Sequence, residues 1–193
     1  MSELLIEQKK KVRKPLLWIG MASIVMTFAG LTSGYVVSRT ALMAENRWFQ
    51  FELPSLFYAA TVAILLASVA LVWAQLGAKK ENDGQVKAGV GIALLLGFLF
   101  VGLQLAGWKD LIDSGFYFTG PKSNSSVSWV YVITFLHWLH VVSGIIVLIV
   151  TYIQASKSAY TKENYLGLEL ACIYWHFLDL LWIYLFCFLL FIR

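Results

Sequence analysis

The chain has 193 residues, of which 60% are hydrophobic and 13% charged, with a mean hydropathy of +0.73. That charge content is about half of what a soluble domain carries, so the chain reads as an integral membrane protein with little material for a soluble catalytic domain. The formal net charge of +4 sits at loop ends, where it reports orientation rather than nucleic-acid binding.

Apolar runs of about 20 residues predict membrane helices, and the sequence holds five. The first runs from Leu16 to Ser38. It is too long for a signal-peptide core and lacks a cleavage site, so it is expected to be retained. The second runs from Pro54 to Gly77, with proline in the first turn, where its missing N–H costs nothing. The third runs from Lys87 to Trp108, the fourth from Trp129 to Ala155 and the fifth from Gly167 to Ile192. The expected fold is all-α: a polytopic bundle of five transmembrane helices over residues 16–193, preceded by a basic segment, 1–15. The loops "KKENDGQ" (Lys79 to Gln85) and "TGPKSNSS" (Thr119 to Ser126) are polar and turn-rich. Trp108 and Trp129 fall at span ends, as interface anchors do.

Cationic residues divide unequally between the two sides. Lys9, Lys10, Lys11, Arg13, Lys14, Lys79, Lys80, Lys87, Lys157 and Lys162 fall on one side. Arg39, Arg47, Lys109, Lys122 and Arg193 fall on the other. The richer side is expected to be cytoplasmic, which places the N-terminus inside and the C-terminus outside.

Small residues recur every four positions at Gly30 and Gly34, at Ala59, Ala63 and Ala67, and at Gly89, Ala93 and Gly97. Such ridges let helices approach closely in lipid. Cys172 and Cys187 are 15 positions apart on one predicted helix, roughly 22 Å of rise, too far for a disulfide. They read as apolar packing residues.

All three histidines lie in "FLHWLHVVSG" (Phe135 to Gly144) and "YWHFLD" (Tyr174 to Asp179), within membrane-length runs. Ionisable groups in hydrocarbon are costly and mark function by default. His137 and His140 share one helix face, as do His176 and Asp179, with Glu169 on nearly the same stripe. Counting rise from opposite faces puts His140 level with His176 and His137 level with Asp179. On this count His140 should face the fifth helix, and Asp179 should be hydrogen-bonded to a histidine, tryptophan or tyrosine of a neighbouring helix. Four readings are open on the residues alone. They are a metal centre of paired ligands, bis-histidine haem ligation by His140 and His176, a proton path, and buried polar groups bonding between helices or to lipid.

At these motifs the chain resembles subunit III of the haem–copper terminal oxidases. "YWHFLDLLW" (Tyr174 to Trp182) resembles the Tyr-Trp-His-Phe-x-Asp-x-x-Trp block of that family's last helix, and "FLHWLHVVSG" its His-x-x-His-Val block. Gly167-x-Glu169, "LQLAGW" (Leu103 to Trp108) and "ELPSL" (Glu52 to Leu56) also fit. The similarity runs from Leu16 to Arg193. Mitochondrial-type members have seven helices, and this chain is similar to the short five-helix bacterial form. It departs from the family in having no Asp or Glu between Leu16 and Ser38.

The resemblance implies a non-catalytic core subunit of an aerobic respiratory oxidase in the bacterial inner membrane, multi-pass, reducing oxygen to water with proton translocation. Cytochrome c is the implied electron donor, and quinol oxidases have a closely similar five-helix subunit. The chain itself is expected to carry no catalytic residue, no cofactor and no metal. Haems and copper would sit in partner subunits. Its direct partner would be subunit I, with subunit II and other subunits in the complex and bound phospholipids at its surface. His137, His140, Glu169, Trp175, His176, Asp179 and Trp182 would form a structural polar cluster or lipid contacts. The alternative class is a free-standing membrane metal or haem protein using His137, His140, His176 and Asp179.

Overall fold

A computed structural model describes residues 2–121, 123–157, 160 and 165–192, with side chains from residue 11 onward. Lys122, Lys162 and Arg193 of the charge count lie outside the described residues. Five α-helices follow in order: α1 Ser2–Ala44, α2 Ser55–Lys79, α3 Asp83–Asp113, α4 Ser125–Ser156 and α5 Leu166–Phe191. Each contains a stretch long and apolar enough to cross a membrane.

The helices overrun the apolar runs because capping continues them past the hydrocarbon. The Asn82 side chain accepts from Gln85 N at 3.1 Å and starts α3 four residues before the expected Lys87. Asn124 accepts from Ser126 N at 3.1 Å and starts α4 four residues before Trp129. At about 1.5 Å per residue, a helix of 31 residues such as α3 exceeds the roughly 30 Å hydrocarbon core. Pro54 is the N-cap of α2, at ψ 138°, rather than a first-turn residue. Pro15 lies inside α1, which carries the basic segment and the first span as one helix.

Helices α2, α3, α4 and α5 form a closed ring, each packed on the next, with α5 returning to α2. α2 and α3 pack most extensively, joined by the tight turn at Lys80–Asn82, where Glu81 takes φ 55°. α1 lies outside the ring against α4 and α5. It is drawn in at positions 14, 17, 21, 24, 28, 31, 35, 38 and 42, alternate steps of three and four, with 32, 34 and 39 flanking that stripe. Cross-helix pairs fix direction. Lys14 meets Glu169 and Thr32 meets Tyr184, so α1 and α5 run parallel. Thr61 meets Trp182 and Ser68 meets His176, so α2 and α5 run antiparallel.

Glycines set the closest approaches. A Cβ on Gly89 would lie 2.8 Å from Ala70 O and from the Ala74 Cβ, so α3 meets α2 backbone to backbone there. On α2 the buried ridge is Ala60, Ala63, Ala67, Ala70, Ala74 and Ala78, while Ala59 is exposed. Of the first-helix pair, Gly34 packs on the Trp129 ring and Gly30 faces open space. Trp108 and Trp129 turn inward: Trp108 Nε1 donates to Thr134 Oγ1 at 3.0 Å, and Trp129 packs on Gly34 and Tyr35. Neighbouring helices offer each ring a partner, which the headgroup layer does not have to supply. Cys172 is buried, Cys187 is half-buried, and both are free thiols.

Gly89→Val should lower stability by about 1–3 kcal/mol, because the Ala70 and Ala74 backbone cannot withdraw. Gly102→Ala, with nothing within 4 Å of its Cβ, should fall within about 0.5 kcal/mol of the parent. Unfolding in detergent micelles, followed by circular dichroism, checks both.

Candidate functional site

α5 carries five of the seven residues the sequence singles out and distributes them to different neighbours. Glu169, in its first turn, receives Nζ of Lys14 from α1 at 2.6 Å. This half-exposed pair ties the start of α5 to α1 at the end where both helices begin. Trp175, 1% exposed, drives its indole between α3 and α4. A Cβ on Gly97 would stand 2.8 Å from its ring tip, and one on Gly144 3.4 Å from its ring. Two glycines on two helices therefore make the slot that one tryptophan fills.

The α2–α5 seam is polar. Trp182 Nε1 donates to Thr61 Oγ1 at 2.9 Å. About two turns on, the Ser68 hydroxyl bonds His176 Nδ1. Gln75 lies beside Cys172, whose thiol points to Leu71 O at 3.9 Å. Thr61, Ser68 and Gln75 recur every seven residues along one edge of α2. Asp179 is 3% exposed. Ser68 lies near its carboxyl group, and neither oxygen has a hydrogen-bond partner among the described residues. The expected bond from a histidine, tryptophan or tyrosine of a neighbouring helix is therefore not made among the described residues; on α5 itself, Trp182 bonds Thr61 and Tyr174 bonds Ser143 at 2.7 Å.

His137 and His140 share a face of α4, and both meet the edge of Phe28 from α1, with centroids 6.3 and 5.6 Å away. His137 is fully buried. It stacks on Trp182 at 5.1 Å and meets Phe100 edge-on at 6.0 Å, and neither ring nitrogen has a partner among the described residues. His140 Nδ1 lies 2.7 Å from its own helix's Leu136 carbonyl. The carbonyl only accepts, so Nδ1 carries the proton and Nε2 is left as an acceptor. His140 and His176 therefore do not meet: one turns to α1, the other to α2. His137 comes level with Trp182, one turn from Asp179. Among the described residues no group of three or more His, Cys, Asp or Glu side chains is placed to hold a metal ion.

Sequence reasoning missed three partners and one buried amide. Lys14, Thr61 and Ser68 were hidden because the first helix was read for its acidic residues and the second for its alanines. The seven-residue recurrence on α2 is visible in the sequence and could have found two of them. Gln104 was also missed. It is 1% exposed, and both of its amide atoms are unpartnered among the described residues.

Replacing a buried polar group that makes no bond by an apolar group of similar shape is neutral or stabilising. His137→Phe should therefore leave stability unchanged or raise it by about 1 kcal/mol, measured by unfolding in micelles. A loss of more than about 1 kcal/mol would reveal a bound partner for that imidazole. In contrast, a Thr61→Val and Trp182→Phe double-mutant cycle should return a coupling of about 0.6 kcal/mol, the average for polar pairs between membrane helices.

Residues 23–192 match the family described as cytochrome c oxidase subunit III. Over 171 residues the chain is 30% identical to the cytochrome bo(3) ubiquinol oxidase subunit 3 of Pseudomonas aeruginosa, covering 88% of this chain and 79% of that one. Over 180 residues it is 31% identical to a probable cytochrome c oxidase subunit 3 of Nocardia farcinica, covering 91% and 85%. A probable cytochrome c oxidase subunit 3 of Rickettsia conorii is 29% identical over 161 residues, and there the chain spans about half of the relative's length, 55%. With the match running from the middle of α1 to the end of α5 and taking in both histidine motifs, the chain belongs to the cytochrome c oxidase subunit III family.

Proposed function

We propose that this chain is a non-catalytic core subunit of a respiratory haem–copper oxidase that reduces oxygen to water and translocates protons. The observation that carries the reading is the family match across residues 23–192. The site geometry supports it. The three histidines are turned to α1, α2 and α5 rather than converging on one point. This disfavours a free-standing metal or haem protein built on His137, His140, His176 and Asp179.

The haems and copper belong to partner subunits in this reading, and subunit I is the direct neighbour. Subunit III keeps it stable and supplied with protons, and phospholipids fill the grooves of the apolar surface. Relatives named for ubiquinol and for cytochrome c match at 30% and 31% identity, so the donor is set by the partner subunits. The complex lies in the bacterial inner membrane with residues 1–15 in the cytoplasm. The excess of Lys and Arg on that side supports this orientation.

Mild solubilisation through a tag on this chain should recover larger subunits and a haem spectrum in stoichiometric amount. Recovery of a lone chain with its own activity sinks the reading. An alkaline phosphatase fused after Arg193 should be active, since the C-terminus is outside; an inactive fusion that is stably made would invert the topology. Oxidase stripped of this subunit should start with haem-dependent turnover and lose it sooner than intact enzyme. No turnover at the outset would make the subunit catalytic.

A further inference from the structure

Among the described residues α5 touches both α1 and α2, while α1 and α2 do not touch each other. The strip of α5 between them is therefore an open groove. Leu180 is 68% exposed and Tyr184 48% exposed on its floor. The groove is walled by residues of α1 such as Val25 and Ala29 and holds a hollow of about 330 Å³.

At the α2 edge of this strip sits His176, half-buried, its Nδ1 taken by Ser68 and its Nε2 unbonded by any described residue. Asp179, with both oxygens unpartnered among the described residues, lies one turn along the same seam. Ser68 is 13 residues from the Ser55 end of α2, and His176 is 10 residues from the Leu166 end of α5. These are depths of roughly 20 and 15 Å, near the middle of the bilayer. Lipid head groups stay at the rims of a core about 30 Å thick, and acyl chains offer no hydrogen bond. A polar group open at this depth calls for a protein partner.

We propose that the groove between α1 and α2 receives one transmembrane helix of another oxidase subunit. That helix carries a hydrogen-bonding side chain, such as Ser, Thr, Asn or Tyr, opposite His176. Apolar residues of the incoming helix cover Leu180 and occupy the hollow beside it. The polar residue fixes depth and register, because a shift of one turn would leave His176 and the partner's group both unbonded in hydrocarbon. This inference rests on the chain's being a subunit of an oxidase and adds where the contact is made.

The test uses the intact complex in mild detergent, with a photo-crosslinking benzoylphenylalanine placed singly at Leu180 or at Leu95. Leu95 is 71% exposed on α3 and serves as the control. Leu180 should give an adduct with another oxidase polypeptide, and Leu95 should not. His176→Phe should lower the amount of chain retained with the haem-bearing fraction about threefold, the equivalent of one average interhelical hydrogen bond, while His176→Gln should retain it. A haem-bearing complex that contains the chain, but in which position 180 yields lipid adducts, a second copy of this chain or nothing, overturns the groove. Retention by His176→Phe equal to wild type overturns the polar register. If the unsubstituted chain is absent from the haem-bearing fraction, the subunit reading itself fails, and this one with it.

Discussion

Hydrocarbon surrounds every helix here, and lipid tails solvate an apolar side chain as well as a neighbouring helix does. Burial from water therefore holds nothing together within the core, and close approach must. The Trp175 indole is where this constraint is met most fully. It reaches α3 at Gly97 and α4 at Gly144, and each glycine lacks the Cβ that would stop it. Phe57 does the same at Gly107, where a Cβ would stand 2.5 Å from the ring. Large rings on one helix and absent side chains on the next convert dispersion into a fixed arrangement of four helices. The backbone contact at Gly89 then sets how close α2 and α3 lie.

On that packed frame polar groups are added sparingly and in pairs. Thr61 with Trp182, Ser68 with His176, Ser143 with Tyr174 and Lys14 with Glu169 each join two helices. Three of these pairs include a residue of the Tyr174–Trp182 motif. The motif thus reads as a set of hydrogen-bond donors and acceptors for two neighbours, α2 and α4. A site that binds one ligand would direct its groups inward to a common point. A structural element divides them around the helix, as α5 does.

The helix count, the helix centres and the face-sharing of His137 with His140 were all legible in the sequence, because hydropathy and helical rise are local properties. The helix ends were not, since Asn82 and Asn124 cap at residues that carry no apolar signal. The depth count put His137 level with Asp179, whereas the imidazole lies level with Trp182, one turn along α5. The count could not assign azimuth. His140 faces α1 and His176 faces α2, and only the order of helices around α5 decides that. Four-residue spacing of small residues likewise does not distinguish contacts from open faces. Gly89 and Gly97 are contacts and Gly30 is not, although the spacing is identical. The chemistry of the family was legible through one motif, Tyr174 to Trp182, whose side chains are needed in that order for reasons the spacing alone does not reveal.

The inward positions of α1 alternate between three and four residues from Lys14 to Leu42, and the polar edge of α2 repeats every seven. An undistorted α-helix drifts by about 20° per seven residues against such a repeat. Keeping these stripes seated over their full length, α1 against α4 and α5 and α2 against α5, favours a left-handed winding, the sense associated with crossing angles of about 20°. α1 is then attached as a strand of a rope is, along a narrow seam. A change in bilayer thickness would be met by α1 tilting along that winding, with Phe28 and Tyr35 staying seated while the exposed flanks slide through the lipid.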